Sequence, residues 1–127
     1  PLPVSAPFHT SMLKKAEVAL TDVLSSVQFS TMKYPVITNV DGRIIPSEAS
    51  ISTYLAKQVT SAVQWIDCIG AMKAMGIETL VEFGPGTALS SFVSKIDKNI
   101  KVYSINDLES LEETVAALKD AKLERAI

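Results

Sequence analysis

Histidine and cysteine are nearly absent from this chain: 127 residues hold one of each, His9 and Cys68. A single cysteine cannot close an internal disulfide, so the composition fits a reducing compartment and a cytoplasmic location is expected. One histidine and one cysteine far apart cannot assemble a zinc site. Glycine is also sparse, and its five positions (42, 70, 76, 84 and 86) bracket no serine. The G-x-S-x-G nucleophile elbow is therefore missing, as are the phosphate-binding P-loop and the three-glycine dinucleotide fingerprint. No apolar run approaches the roughly 20 residues that span a bilayer, and no secretory leader is visible. The chain is thus expected to be soluble and to have no membrane partner. Charge of one sign is lacking too: 12 Lys and Arg stand against 14 Asp and Glu, for a net charge of −2. Without a basic stripe to release counterions, no nucleic-acid partner is expected.

What the chain does have is apolar surface. Hydrophobic residues make up 47% of it, and its mean hydropathy is +0.25. That is high for a free-standing domain of this size, which must keep much of its surface wet. The opening Pro1-Leu2-Pro3-Val4 reads as though cut from the middle of a longer protein. Both features lead to the expectation of a single segment, residues 1–127, with further surface meant for a missing partner.

Periodicity predicts the elements. Prolines keep residues 1–10 extended. Apolar residues at helical spacing (Leu13, Ala16, Leu20, Val23, Leu24 and Val27) predict a helix over 11–27. A β-branched strand is expected over 35–40, ended by Asp41-Gly42. Helices follow over 47–60 and 63–75, with Gly76 as the left-handed cap of the second. A strand over 77–83 runs into Gly84-Pro85-Gly86. Thr87 is placed to cap a helix through Ile96. A third strand over 100–105 precedes a charged helix over 108–124, where Ser110 and Glu113 have capping-box spacing. Strands separated by helices predict an α/β fold with a short, mostly parallel sheet flanked by helices.

Few residues can carry chemistry. His9 lies at the junction of an extended segment and a helix. An imidazole can exchange protons near neutral pH, yet a lone histidine is as readily a surface or structural residue. Gly84-Pro85-Gly86 could present backbone N–H groups to an anion, or be no more than a tight strand-to-helix turn. Cys68 lies in an apolar helical stretch and reads as buried filler. Asp67, Glu78 and Glu82 show no acid/base spacing.

Four segments, in order, sharpen this reading. They are Leu2-Pro-Val-Ser-Ala-Pro-Phe-His9-Thr-Ser-Met12, Pro35-Val-Ile-Thr-Asn39-Val-Asp-Gly42, Leu55-Ala-Lys-Gln58-Val-Thr-Ser-Ala-Val-Gln64-Trp65 and Val81-Glu-Phe-Gly84-Pro-Gly86-Thr-Ala-Leu89. Together they resemble the malonyl-CoA:acyl carrier protein transacylase family over roughly residues 2 to 107.

The resemblance implies the C-terminal part of a hydrolase-like large subdomain, following a ferredoxin-like insertion. It implies His9 as the catalytic general base, oriented by the main-chain carbonyl of Gln58 instead of a carboxylate. Phe8 becomes a candidate for the substrate pocket, with a mild preference for malonyl. The nucleophilic serine, the arginine that pairs with the malonyl carboxylate and an oxyanion-hole glutamine would lie upstream, outside this chain. No metal or other cofactor is implied. The substrates would be malonyl-CoA and phosphopantetheinylated acyl carrier protein, in fatty acid biosynthesis. The partners would be that carrier protein and the N-terminal half of the same enzyme, without which this chain is expected to be inactive. Two alternatives stand beside this reading: an acyltransferase domain of a polyketide or type I fatty acid synthase, and a non-catalytic module binding an anion or CoA at Gly84-Pro85-Gly86.

Overall fold

The computed structural model describes residues 7–124, with side chains as far as residue 121. The chain divides into two compact units, Pro1–Ala74 and Met75–Ile127.

In the first unit, a 3₁₀ turn at Ser11–Leu13 leads into α1 (Lys14–Leu24). The inward stripe of this helix is Leu13, Glu17, Leu20 and Leu24, spaced at helical intervals, with Leu24 buried. Val23, expected on the apolar face, is instead 63% exposed. A second 3₁₀ turn, Glu48–Ser50, opens α2 (Ile51–Gln58), and α3 runs from Trp65 to Ala74. The end of α2 tightens, because the Lys57 carbonyl accepts from the N–H groups of both Thr60 (3.2 Å) and Ser61 (2.9 Å).

The strand expected over 35–40 does not form. This segment folds back on residues 43–45 as a short hairpin holding a single antiparallel bridge, Ile37 to Ile44. Thr38 N–H donates to the Arg43 carbonyl at 3.1 Å, and Ile45 N–H donates to that of Val36 at 2.9 Å. The physical reason is local: a turn at Asp41-Gly42 offers the segment an antiparallel partner within a few residues. The tip of the hairpin is pinned to α3. Gln64 N–H donates to the Asn39 carbonyl at 2.8 Å, and the Cys68 thiol donates to that of Thr38 at 3.3 Å. Gly42 takes φ = 67°, and a β-carbon there would strike Asp67. Tyr54 on α2 donates to the Asp41 carboxylate at 2.9 Å, tying the turn to a second helix. Cys68 is buried, and burial pushes its thiol above the ordinary range.

In the second unit, β1 (Thr79–Phe83) and β2 (Lys101–Ile105) pair in parallel, in register from Thr79 opposite Lys101 to Phe83 opposite Ile105. This is a two-stranded sheet, not the three-stranded one that the strand pattern implied. α4 (Ala88–Ile96) makes the crossover that a parallel pair requires, and α5 (Leu108–Glu124) follows. Both helices pack on β2. Val93 and Ile100 form the buried centre of the unit.

Two caps differ from expectation. Thr87 makes no capping hydrogen bond with its side chain; a carboxylate from β1 serves instead, as described below. At α5 the capping box lies three residues earlier than the Ser110–Glu113 spacing suggested. Asp107 Oδ1 accepts from the Ser110 N–H at 2.9 Å, and Ser110 Oγ accepts from the Asp107 N–H at 3.1 Å. Asp107 therefore caps the helix and Ser110 closes the box, which leaves Glu113 free of that role. The bonds from Ser110 hold the Asp107 carboxyl below its usual range.

Candidate functional site

His9 stands where the turn before α1 reverses. Its backbone takes φ = 58°, the only positive φ of a non-glycine residue among those described. A left-handed backbone costs an L-residue on the order of 1–2 kcal/mol and is a recurring mark of functional positions. Two local bonds hold it: Thr10 Oγ1 donates to the Pro7 carbonyl at 2.9 Å, and Leu13 N–H donates to that of Thr10 at 3.1 Å. The extended path expected through residue 10 thus becomes a tight turn over 7–13. Residues 1–6 of that expectation lie outside the described residues.

The imidazole of His9 is exposed, and its Nδ1 lies 2.9 Å from the main-chain oxygen of Gln58. A carbonyl can only accept, so the geometry assigns the proton to Nδ1. In the neutral ring this leaves Nε2 with a free lone pair. Gln58 is the last residue of α2, and its carbonyl is one of the groups that a helix end leaves without an intrahelical donor. The same helix end carries partial negative charge. Phe8, next to His9 in the chain, is 63% exposed. Asp67, in the first turn of α3, is exposed and its β-carbon faces the Gly42 turn.

The Gly84-Pro85-Gly86 turn in the second unit has its amides occupied from within. Gly86 N–H donates to Asn106 Oδ1 at 2.7 Å. The Glu82 carboxylate accepts from the N–H groups of Leu89 (3.1 Å) and Ser90 (2.9 Å), and also from the Ser90 and Ser104 hydroxyls. These bonds, those from Ser90 foremost, hold the Glu82 carboxyl below its ordinary range. A carboxylate already sits at the positive end of α4. These bonds favour the tight strand-to-helix turn over the anion-binding alternative. Sequence reasoning missed the role of Glu82 because Ser90 and Ser104 reach it only once β2 and α4 have packed. Among the described residues, no group of three His, Cys, Asp or Glu could hold a metal ion, and no helix is long and apolar enough to cross a membrane.

Comparison with known proteins puts this arrangement in context. The chain superposes on a crystal structure of malonyl CoA-acyl carrier protein transacylase from Clostridium perfringens with a TM-score of 0.90. The two share 40% sequence identity over 99% of this chain and 40% of that one. A chain of a solved complex between a type II PKS acyl-carrier protein and its malonyl-transacylase matches with a TM-score of 0.83 and 32% identity, over 94% of this chain and 38% of that one. In sequence, the chain is 34% identical over 120 residues to the malonyl CoA-acyl carrier protein transacylase of Bacillus subtilis, covering 94% of this chain and 38% of that protein. By sequence and by fold, the chain belongs to the malonyl CoA-acyl carrier protein transacylase family. It spans about two-fifths of the length of these relatives. No protein-family model matches it.

Proposed function

We propose that this chain is the C-terminal, hydrolase-like part of a cytoplasmic malonyl-CoA:acyl carrier protein transacylase of fatty acid biosynthesis, and that His9 is its general base. The observation that carries the reading is the 2.9 Å contact between His9 Nδ1 and the Gln58 carbonyl. A base used in both half-reactions must keep one nitrogen free for proton transfer and one tautomer fixed, and this contact supplies both.

In the first half-reaction, Nε2 takes the proton of a serine hydroxyl outside this chain as its oxygen attacks the malonyl thioester carbon. The C–S bond breaks, and the CoA thiolate leaves with the proton returned by the imidazolium. In the second, Nε2 deprotonates the phosphopantetheine thiol of acyl carrier protein, whose sulfur attacks the malonyl-serine ester; the C–O bond breaks, and the imidazolium returns the proton to the serine oxygen. Protons and acyl groups balance without a redox cofactor or metal. While the imidazolium exists, the negative end of α2 lies against it. Phe8 is assigned to the malonyl pocket. Acyl carrier protein as partner is supported by the relative solved with such a protein. The N-terminal half is supported by the relatives' greater length and by apolar side chains left in water here, among them Ile66 at 70% and Phe83 at 75% exposed. Without that half the chain lacks its nucleophile and is inactive.

The test is His9→Ala in the enzyme that carries this segment together with its nucleophile. Turnover should fall by about 10²–10⁴-fold while malonyl-CoA binding is nearly kept. Turnover within a few-fold of the parent would overturn the assignment.

A further inference from the structure

We infer that Glu17 and Thr60 are positioning residues for His9, holding α1 to the turn that presents the Gln58 carbonyl. The inference rests on His9 acting as the base.

His9 belongs to the turn that leads into α1, whereas its acceptor is the last residue of α2. An exposed imidazole with one hydrogen bond does not set the spacing of two helices. Something else must hold the leading end of α1 against the trailing end of α2 for the 2.9 Å contact to persist.

Glu17 sits where that link is needed. It occupies the inward stripe of α1 between Leu13, Leu20 and Leu24, and its side chain is only 14% exposed. A carboxylate on such a stripe requires partners. One oxygen accepts from Lys14 Nζ at 2.8 Å within the helix. The other accepts from Thr60 Oγ1 at 2.7 Å, across 43 residues of sequence. Lys14 and then Thr60 hold the Glu17 carboxyl below its usual range, so the group is the charged acceptor at neutral pH.

Thr60 lies two residues beyond Gln58, in the tightened turn where its own N–H is bonded to the Lys57 carbonyl. Glu17 therefore grips the same short turn whose preceding carbonyl faces His9. A closed circuit results: the His9 turn leads into α1, α1 carries Glu17, Glu17 binds Thr60, and the Thr60 turn aims Gln58 back at His9. Within this circuit Lys14 bonds the Glu17 oxygen that Thr60 does not use.

The test uses the same complete enzyme. Glu17→Ala and Thr60→Val should each lower kcat roughly ten- to a hundred-fold, the scale of an ångström-sized misplacement of a catalytic group. KM for malonyl-CoA should stay near that of the parent. Glu17→Gln keeps an acceptor oxygen for Thr60 and should recover most of the lost rate. Added to His9→Ala, Glu17→Ala should cost nothing more, because its effect passes through the imidazole. If His9→Ala is crippled while Glu17→Ala and Thr60→Val keep the parent kcat, the positioning role is overturned and the role of His9 stands. If the two variants lower the melting temperature but not the turnover of folded enzyme, Glu17 is only structural and the inference again fails. A harmless His9→Ala would overturn the base itself.

Discussion

Glu82 accepts a hydrogen bond from the backbone N–H of Ser90 at 2.9 Å, so a residue of strand β1 caps the helix that follows it. The bond joins the end of the strand to the start of α4 across the glycine turn. The Ser90 hydroxyl in turn lies 2.6 Å from that of Ser104 on β2. A single carboxylate thereby ties together three elements of the second unit.

This arrangement gives a stability prediction with a definite pH sign. The Glu82 carboxyl lies below its ordinary value of 4.5 in the folded chain. Its contribution is therefore fully present above the unfolded value and fades as pH falls through the lower, folded one. Glu82→Ala should lower the melting temperature by several degrees near neutral pH, whereas Thr87→Ala should change it little. The difference between Glu82→Ala and the parent should shrink as the pH is taken below about 4.5. Thermal melts across pH 3–7 measure it, and a difference that grew on acidification would contradict the capping role.

Two glycines with similar backbones should respond differently to substitution. Gly42 and Gly76 take φ of 67° and 78°. A β-carbon at Gly76 meets open space, whereas one at Gly42 runs into Asp67 and the backbone of Cys68. Gly76→Ala should cost about 1–2 kcal/mol, for the left-handed backbone alone. Gly42→Ala adds overpacking and should cost roughly 2–5 kcal/mol. Urea denaturation of both variants would decide; equal losses would mean that the hairpin tip does not pack on α3 as described.

A main-chain contact to His9 predicts an unusual tolerance. Gln58→Ala keeps the carbonyl, so turnover of the complete enzyme should stay within a few-fold of the parent. Asp67→Asn should be nearly silent, since Asp67 has no part in holding the imidazole. Steady-state kinetics of both variants beside His9→Ala separate this arrangement from a carboxylate-oriented triad. A severe loss on changing an Asp or Glu other than Glu17 would favour a carboxylate-oriented triad.

Some of this molecule could be read directly from the sequence. The 3.6-residue spacing of Leu13, Leu20 and Leu24 and the β-branched runs before Gly84 and after Asn99 placed the helices and the two sheet strands to within a few residues. The reason is that these signals are local: periodicity and turn chemistry act over one or two turns of chain. The same locality explains the failure at residues 35–40. A β-branched run states that a segment can be extended, but not which partner it will pair with, and here a neighbouring turn supplied an antiparallel one. His9 itself gave no local sign of its role, and its connection to Gln58 came from resemblance to a family, not from composition or spacing. The links from His9 to Gln58, Glu17 to Thr60 and Glu82 to Ser104 bridge 49, 43 and 22 residues. Only the packing of α1 against α2 and the parallel pairing of β1 with β2, which sets Glu82 opposite Ser104, bring these groups within 3.5 Å, because a hydrogen bond depends on position in space and carries no trace in the spacing of the chain.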